Sequence, residues 1–203
     1  MSRTTRTAGL AAVAIAIIAT IAVVTVVIGR RESYAFKGGE IRPPVAAAAL
    51  DLTDQHGQPF SLERERGNVL IVFFGYTACP DICPTTLSDY TAVKEALGPK
   101  AERVRFVLVT VDPERDTAER LKAYLAFFDP DFIGLRGTPE QMEAVKQAYG
   151  VFARKVEFPN SAAGYLVDHT ALTYVIDTEG RLRLTYGHGT DPEDIAADVR
   201  HLL

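Results

Sequence analysis

The stretch NVLIVFFGYTACPDICP, residues 68–84, decides the predicted fold of this chain. Its first eight residues are almost all apolar, which is typical of a strand that is buried on both faces of an α/β sheet. Cys79 and Cys83 follow directly, and residues 84–97 then show apolar positions at helical spacing. Because open α/β sheets place their sites at the carboxyl ends of strands, we predict a functional site at the two cysteines.

The spacing of Cys79 and Cys83 permits two kinds of chemistry. On one helical turn their Cβ atoms would lie about 5–6 Å apart, and a small shift would close a disulfide. Both sulfurs could equally reach one metal ion at about 2.3 Å. The beginning of a helix favours the thiolate that either role needs. A purely structural disulfide is disfavoured, since so short a loop gains little stability from closure. Two thiolates suit a soft ion, and Cu(I) is the clearest candidate.

A third ligand has to come from four histidines. His56 lies in a predicted turn, His188 between two glycines, and His201 near the end of the last helix, so none of these is favoured. His169 directly precedes an apolar strand. A thioredoxin-like topology would bring that segment against the cysteine loop, so a neutral imidazole at His169 would complete a site of two sulfurs and one nitrogen.

The rest of the chain after residue 48 predicts a single α/β domain, 49–203, with a mixed sheet covered on both faces. The fold class is thioredoxin-like, with an N-terminal hairpin and one preceding transmembrane helix. The predicted elements are a hairpin at 50–62, strands at 68–75, 104–111, 171–176 and 182–186, and helices at 84–97, 117–128, 138–149 and 191–203.

The N-terminal residues predict a membrane anchor, 1–29. Residues 8–29 carry no charge, and about 22 residues at roughly 1.5 Å each can cross a hydrocarbon core of about 30 Å. The run ends in Gly-Arg-Arg-Glu, a poor cleavage site, so an uncleaved anchor is favoured over a signal peptide. Arginines flank both ends, so charge does not decide the orientation. Residues 30–48, with paired glycines and prolines, predict a linker.

Composition excludes some functions. The 203-residue chain has a formal net charge of -4 and shows no basic patch with interleaved aromatic residues, which argues against nucleic-acid binding. Its two cysteines are four positions apart, which argues against a disulfide-stapled scaffold.

Three motifs, FGYTACPDICP at 74–84, VDPERDT at 111–117 and VDHT at 167–170, resemble the Sco/SenC family. These are copper-binding, membrane-anchored, thioredoxin-fold proteins associated with building the dinuclear copper site of cytochrome c oxidase. The resemblance covers roughly residues 50–203. It implies that Cys79, Cys83 and His169 bind copper, as Cu(I), Cu(II) or both.

The resemblance also implies a location and partners. The domain should face the periplasm or an equivalent extracytoplasmic space, held at the inner membrane by a single span. The expected partners are the copper-bearing subunit of cytochrome c oxidase and other copper carriers.

A second function stays open on the same residues. Cys79 and Cys83 could be the catalytic redox pair of a thiol–disulfide oxidoreductase that reduces the cysteines of a copper acceptor. His169 discriminates, because a reductase does not need it. A peroxidase fits less well, and a redox or copper sensor is a further alternative.

Two expectations concern the surroundings of these residues. Asp168 is expected to orient His169 through its other ring nitrogen. Asp112, Glu114 and Arg115 are expected to form a helix-entry loop with capping carboxylates.

Overall fold

The computed structural model describes residues 34–158 and 164–203, together with Thr20. The chain divides into two compact units, Met1–Ala35 and Phe36–Leu203. Apart from Thr20, the predicted anchor at 8–29 lies outside the described residues. Within the described residues, no helix combines the length and the apolar character that a membrane crossing requires.

The unit Phe36–Leu203 contains ten strands and four α-helices in its described part. The strands are β1 (Gly39–Ala46), β2 (Leu52–Asp54), β3 (Pro59–Phe60), β4 (Val69–Gly75), β5 (Val104–Thr110), β6 (Ile133–Arg136), β7 (Ala153–Phe158), β8 (Gly164–His169), β9 (Leu172–Ile176) and β10 (Arg181–Gly187). The helices are α1 (Ile82–Leu97), α2 (Ala118–Ala126), α3 (Pro139–Ala148) and α4 (Pro192–Leu202), and a 3₁₀ helix spans Gly98–Arg103.

Eight strands form one mixed sheet in the order β1-β10-β9-β4-β5-β6-β2-β3. β4, β5 and β6 run parallel, whereas β9 lies antiparallel to β4 on its other side. The predicted α/β sheet with mixed strand directions is thereby confirmed, as is the hairpin formed by β2 and β3. Among the described strands, β7 and β8 pair with each other in a separate two-stranded sheet.

The core lies where sequence patterning predicts it. Every residue of β4 is buried, because this central strand is covered on both faces. On α1 the apolar stripe Leu87, Tyr90, Val93 and Leu97 is buried. Helix starts follow capping rules: the Thr117 hydroxyl accepts from the Arg120 amide, and Thr138 forms a capping box with Gln141.

The predicted linker at 30–48 needs correction, because residues 39–46 form a strand of the main sheet. β1 pairs antiparallel with β10. The segment before it is fixed by Asp198, a fully buried carboxylate on α4. This carboxylate accepts hydrogen bonds from the amides of Lys37 and Gly38, at 2.9 Å each, and from the Tyr186 hydroxyl at 2.7 Å. The domain therefore begins before residue 39 rather than at 49.

Candidate metal centre

The end of β4 and the start of α1 position the two cysteines. β4 ends at Gly75, a loop carries Cys79, and Cys83 lies in the first turn of α1. A Cβ atom at Gly75 would lie only 2.9 Å from the Cys83 sulfur, so a glycine is needed for this close approach. Cys83 is fully buried, whereas Cys79 is partly exposed. Both cysteines are free thiols, available either to a metal or to redox chemistry.

His169, the last residue of β8, completes the group. Its Nε2 atom lies 3.7 Å from the Cys83 Sγ atom. The ligand atoms of Cys79, Cys83 and His169 all lie within 4.8 Å of one another. Thiolate sulfur and imidazole nitrogen bind a metal at about 2.3 and 2.0 Å, so one ion fits among the three atoms with small adjustments. The structure therefore brings together all three residues that the sequence predicts as ligands.

The ring of His169 is oriented by backbone, not by the neighbouring carboxylate. Its Nδ1 atom lies 3.1 Å from the Thr170 carbonyl oxygen. A carbonyl only accepts, so Nδ1 carries the proton and Nε2 presents its lone pair toward the sulfurs. The Phe73 and Tyr76 rings each lie in a T-shaped arrangement with the imidazole, with ring centroids 5.8 Å apart. The expected role of Asp168 is wrong, because its exposed carboxylate pairs with Arg154 instead.

The two thiols differ in acidity because of their positions. The Cys83 thiol donates a hydrogen bond to the Cys79 sulfur and lowers the pKa of Cys79. The backbone amides of Asp81 and Cys83 add to this lowering. The pKa of Cys83 is raised, because its proton serves Cys79 and because burial disfavours a second thiolate. In the metal-free site, Cys79 is therefore the thiolate and Cys83 its hydrogen-bond donor.

A buried carboxylate, that of Asp116, accepts hydrogen bonds from the loop that carries Cys79. Asp116 is fully buried and accepts hydrogen bonds from the Thr77 hydroxyl (2.5 Å), the Thr77 amide and the Thr110 hydroxyl (2.6 Å). The Arg120 guanidinium also donates to the Thr77 hydroxyl at 2.7 Å. Burial raises the pKa of Asp116. The central position of Asp116 in this network follows from the tertiary structure, which brings Thr77 and Thr110 to the same carboxylate.

The β7–β8 hairpin, which carries His169, is fastened to the core by side chains. The Tyr76 hydroxyl accepts a hydrogen bond from the Val167 amide at 3.1 Å. Arg115 donates to the Tyr165 carbonyl and stacks 3.6 Å from the centre of the Tyr165 ring. The Tyr165 hydroxyl donates in turn to Asp112. These contacts hold β8 beside the cysteine loop.

The capping role expected for the segment 112–115 is therefore wrong. Asp112 pairs with Arg115, and Glu114 pairs with Lys155 of β7 at 2.6 Å. The helix that follows is capped by Thr117 instead.

The other histidines lie apart from the centre. His56, His188 and His201 are all exposed, and none of them belongs to the metal-capable group found among the described residues. His201 packs instead against the Phe36 ring.

Comparison with known proteins assigns the chain to a family. The family model described as SCO1/SenC matches residues 40–203. The chain belongs to the SCO1/SenC family. An SCO2-like protein of Rickettsia conorii is 36% identical over 152 residues, which are 75% of this chain and 74% of that relative.

Solved structures of SCO1/SenC relatives have the same fold. ScoI of Bradyrhizobium japonicum, solved with copper bound, superposes with a TM-score of 0.72 at 39% identity, covering 78% of this chain and 100% of that one. Apo Sco1 of Thermus thermophilus gives a TM-score of 0.74 at 39% identity, covering 85% and 99%. The thioredoxin-like α/β fold expected from the sequence is therefore confirmed.

Proposed function

We propose that this SCO1/SenC protein is a copper metallochaperone that holds copper between Cys79, Cys83 and His169. Copper is its cargo, destined for the dinuclear copper site of cytochrome c oxidase. The observation that carries the proposal is the convergence of two free sulfurs and one oriented imidazole nitrogen within 4.8 Å. The copper-bound structure of the Bradyrhizobium relative supports copper as the ion.

The donor set suits copper in either oxidation state. Two thiolate sulfurs favour Cu(I), and an added imidazole nitrogen is a good ligand for Cu(II) as well. Cys83 is fully buried, whereas Cys79 and His169 are both partly exposed. Cys79 is therefore the cysteine ligand that an acceptor can reach first, and exchange of the sulfur ligands during delivery would begin there.

The proposal includes a location and partners. We place the domain in the periplasm or an equivalent space, anchored by residues 8–29, on the basis of their uncharged apolar run and of the family. The acceptor is the copper-bearing subunit of cytochrome c oxidase, and other copper carriers would supply the ion.

A thiol–disulfide oxidoreductase is the second candidate, favoured by the difference between the two cysteines. The Cys79 thiolate would attack a partner disulfide, forming a mixed disulfide and releasing one partner thiolate, which takes a proton. Cys83 would lose its proton and attack the Cys79 sulfur. This step forms the Cys79–Cys83 disulfide and releases the second partner thiol. The partner gains two electrons, and this chain loses two.

The test of copper binding is an anaerobic titration of the reduced full chain, in detergent, with Cu(I) and separately with Cu(II). We expect about one copper per chain for the wild type, and strong loss of binding for Cys79→Ser and Cys83→Ser. Wild-type protein that fails to bind copper would overturn the chaperone function. Reduction of a disulfide in the oxidase subunit by copper-free protein would then favour the oxidoreductase.

The location has its own test. Membranes carrying the full chain are washed with alkaline carbonate, and intact spheroplasts are treated with a membrane-impermeant maleimide. We expect the chain to stay with the membrane and Cys79 to be labelled without lysis. Release by carbonate would contradict the anchor, and labelling only after lysis would contradict the orientation.

A further inference from the structure

Tyr124 lies on α2, and its hydroxyl is buried without a hydrogen-bond partner in the described part of the chain. Other buried tyrosines do have partners: the hydroxyls of Tyr149 and Tyr174 donate to the carbonyls of Ala48 and Tyr149. A buried hydroxyl without a partner is costly and uncommon in a native structure, so it requires a reason. The site described above makes no use of Tyr124.

The first turn of α1 and the helix α2 lie over the same face of the main sheet. A Cβ atom at Gly75 would lie 2.9 Å from the Cys83 sulfur and 3.1 Å from the Leu108 side chain. Leu108 pairs with Gly134 of β6, so both positions point to that face. A Cβ atom at Gly134 would lie 2.8 Å from Leu125 of α2. Cys83 and α2 therefore cover neighbouring positions of the sheet.

Tyr124 lies on the side of α2 that faces α1 and the cysteine loop. Arg120, one turn earlier, donates to the Thr77 hydroxyl of that loop at 2.7 Å. Asp129, just after the helix, pairs with Lys94 of α1 at 2.7 Å. Residues four apart share a helix face, and long helical side chains lean toward the N-terminus. The Tyr124 hydroxyl therefore extends toward the loop that begins α1.

The electrostatic environment of this hydroxyl agrees with that placement. Burial raises the pKa of Tyr124, and negative charge on Cys83 and then on Cys79 raises it further. The hydroxyl thus lies within electrostatic reach of both sulfurs and keeps its proton, so it is available as a donor. The Phe128 ring packs against the Tyr124 ring in a T-shaped contact at 5.3 Å.

Copper binding changes what the buried sulfur needs. In the metal-free site the Cys83 thiol donates its proton to the Cys79 sulfur. When copper binds, the S–H bond of Cys83 breaks, a Cu–S bond forms, and the proton passes to solvent while copper keeps its oxidation state. The hydrogen bond between the sulfurs is then lost. Cys83 becomes a fully buried thiolate that retains the Tyr76 amide as a donor.

We propose that the Tyr124 hydroxyl donates a hydrogen bond to the Cys83 sulfur in the copper-loaded protein. This inference rests on the proposed copper-binding function. The sulfurs must shift slightly to meet one ion, and a phenolic O–H can rotate to follow them. Tyr124 acts on copper through Cys83, so it is a positioning residue. A donor to a bound sulfur withdraws negative charge from it, which favours Cu(I) over Cu(II).

Tyr124→Phe tests this hydrogen bond in the full chain, in detergent and under anaerobic conditions. Competition against a Cu(I) chelator should show an affinity about tenfold lower, as for loss of an outer partner of a metal ligand. The reduction potential of the bound copper, measured by spectroelectrochemical titration, should fall. The sulfur-to-Cu(II) charge-transfer absorption should move to longer wavelength, because the sulfur that lost its donor is more electron-rich.

A measurement without copper separates this role from a structural one. Tyr124→Phe removes a hydroxyl that has no partner there, so the urea midpoint of the metal-free chain should stay the same or rise. Tyr149→Phe is the matched control. Its hydroxyl donates to the Ala48 carbonyl at 2.8 Å, and its ring packs against Phe74, which points to the opposite face of β4 from Gly75. Tyr149→Phe should lower the urea midpoint and leave copper affinity, potential and absorption at their wild-type values.

Each other outcome decides against the hydrogen bond. Wild-type copper affinity, potential and absorption in Tyr124→Phe would overturn it. A urea midpoint lowered as much as in Tyr149→Phe would show that the hydroxyl is already engaged in the metal-free protein, and the proposal would be wrong. If the wild type itself binds no copper, the proposed function fails and this inference fails with it. A wild type that binds copper and an unaltered Tyr124→Phe would leave the function standing.

Discussion

The Nε2 atom of His169 lies 3.7 Å from the Sγ atom of Cys83, although 86 positions separate the two residues. One residue belongs to the first turn of α1 and the other to the end of a hairpin outside the main sheet. The contact exists only while side chains fasten that hairpin to the core. The position of His169, the proposed third ligand, therefore depends on groups outside the Cys79–Cys83–His169 centre.

Replacing His169 with Ala tests the ligand set. Removal of a residue that only hydrogen-bonds to a metal ligand typically lowers metal affinity roughly 10–100-fold. Since His169 is proposed to be a ligand itself, we expect His169→Ala to lower copper affinity by more than that. Disulfide exchange by Cys79 and Cys83 should stay largely intact. Competition against a Cu(I) chelator measures the affinity, and reaction with an aromatic disulfide measures the exchange.

The matched control for that change is His188→Ala, since His188 is exposed in the turn after β10. It should bind copper like the wild type. Unaltered copper affinity in His169→Ala would show that the site has no imidazole ligand.

Tyr76→Phe tests the attachment of the hairpin. The change leaves the Val167 amide without its acceptor, at a cost of about 1–3 kcal/mol when the β7–β8 hairpin is packed against the core. Because packing of the hairpin against the core places His169 beside the cysteines, copper affinity should fall severalfold, though less than in His169→Ala. The measurement is the same chelator competition, combined with urea unfolding.

Tyr90→Phe is the control for Tyr76→Phe. It also removes a buried tyrosine hydroxyl, one that pairs with Thr173 inside the main core at 2.9 Å. It should lower stability without changing copper affinity. Equal loss of copper affinity in the two variants would assign the effect to general destabilisation.

The reactivity of Cys79 should depend on pH in an unusual way. A cysteine of ordinary pKa, about 8.5, loses thiolate about tenfold per pH unit below that value. Because the pKa of Cys79 is lowered, its thiolate should persist, and its alkylation by iodoacetamide should change little between about pH 8.5 and 6. Mass spectrometry after brief labelling of the reduced, metal-free chain gives the rate at each cysteine.

Cys83→Ala checks the cause of that shift. The hydrogen bond from Cys83 is the largest contribution to the lowered pKa of Cys79. Cys83→Ala should therefore raise the pKa of Cys79, and the alkylation rate of Cys79 should begin to fall at a higher pH than in the wild type. A wild-type rate that already falls tenfold per unit below pH 8.5 would contradict the thiolate assignment.

Asp116→Ala should destabilise the domain. The change leaves the Thr77 amide and the hydroxyls of Thr77 and Thr110 without their acceptor. We expect the free energy of unfolding to fall by about 3 kcal/mol, measured with urea. Asp131→Ala is the control, since Asp131 is exposed and pairs with Lys94 at the surface, and it should cost less than about 1 kcal/mol. Equal losses of unfolding free energy in the two variants would show that the Asp116 hydrogen bonds do not stabilise the domain.

The sequence predicts the strand, loop and helix around the cysteines well, because each carries a strong local pattern. β4 is a continuous apolar run, and α1 has a regular apolar stripe. The prediction that His169 joins the cysteines succeeded for another reason. It used the topology expected of a thioredoxin-like domain, since nothing local to His169 shows that it faces sulfur.

The elements that sequence patterning missed lack such a pattern. In β8 only Val167 is buried, so no alternation of apolar and polar residues marks the strand. β6 has only four residues, and β1 contains two prolines at an exposed edge. Their strand structure depends on pairing partners that are distant in the chain.

The partners of individual polar groups were also beyond sequence reasoning. Asp168 is next to His169 in the chain, yet the ring is held by the Thr170 carbonyl, a group that every residue type carries. The position of Asp116 beneath the cysteine loop likewise requires β5 and the β4–α1 loop to be placed first.

The carboxylate of Asp198 defines how far the chain can be shortened for solution work. A soluble form that starts near residue 45 would lose most of β1 and the amides of Lys37 and Gly38, and so two donors of a fully buried carboxylate. Such a form should unfold more easily for reasons unrelated to copper. Truncated versions used for copper titration should therefore start at or before Phe36.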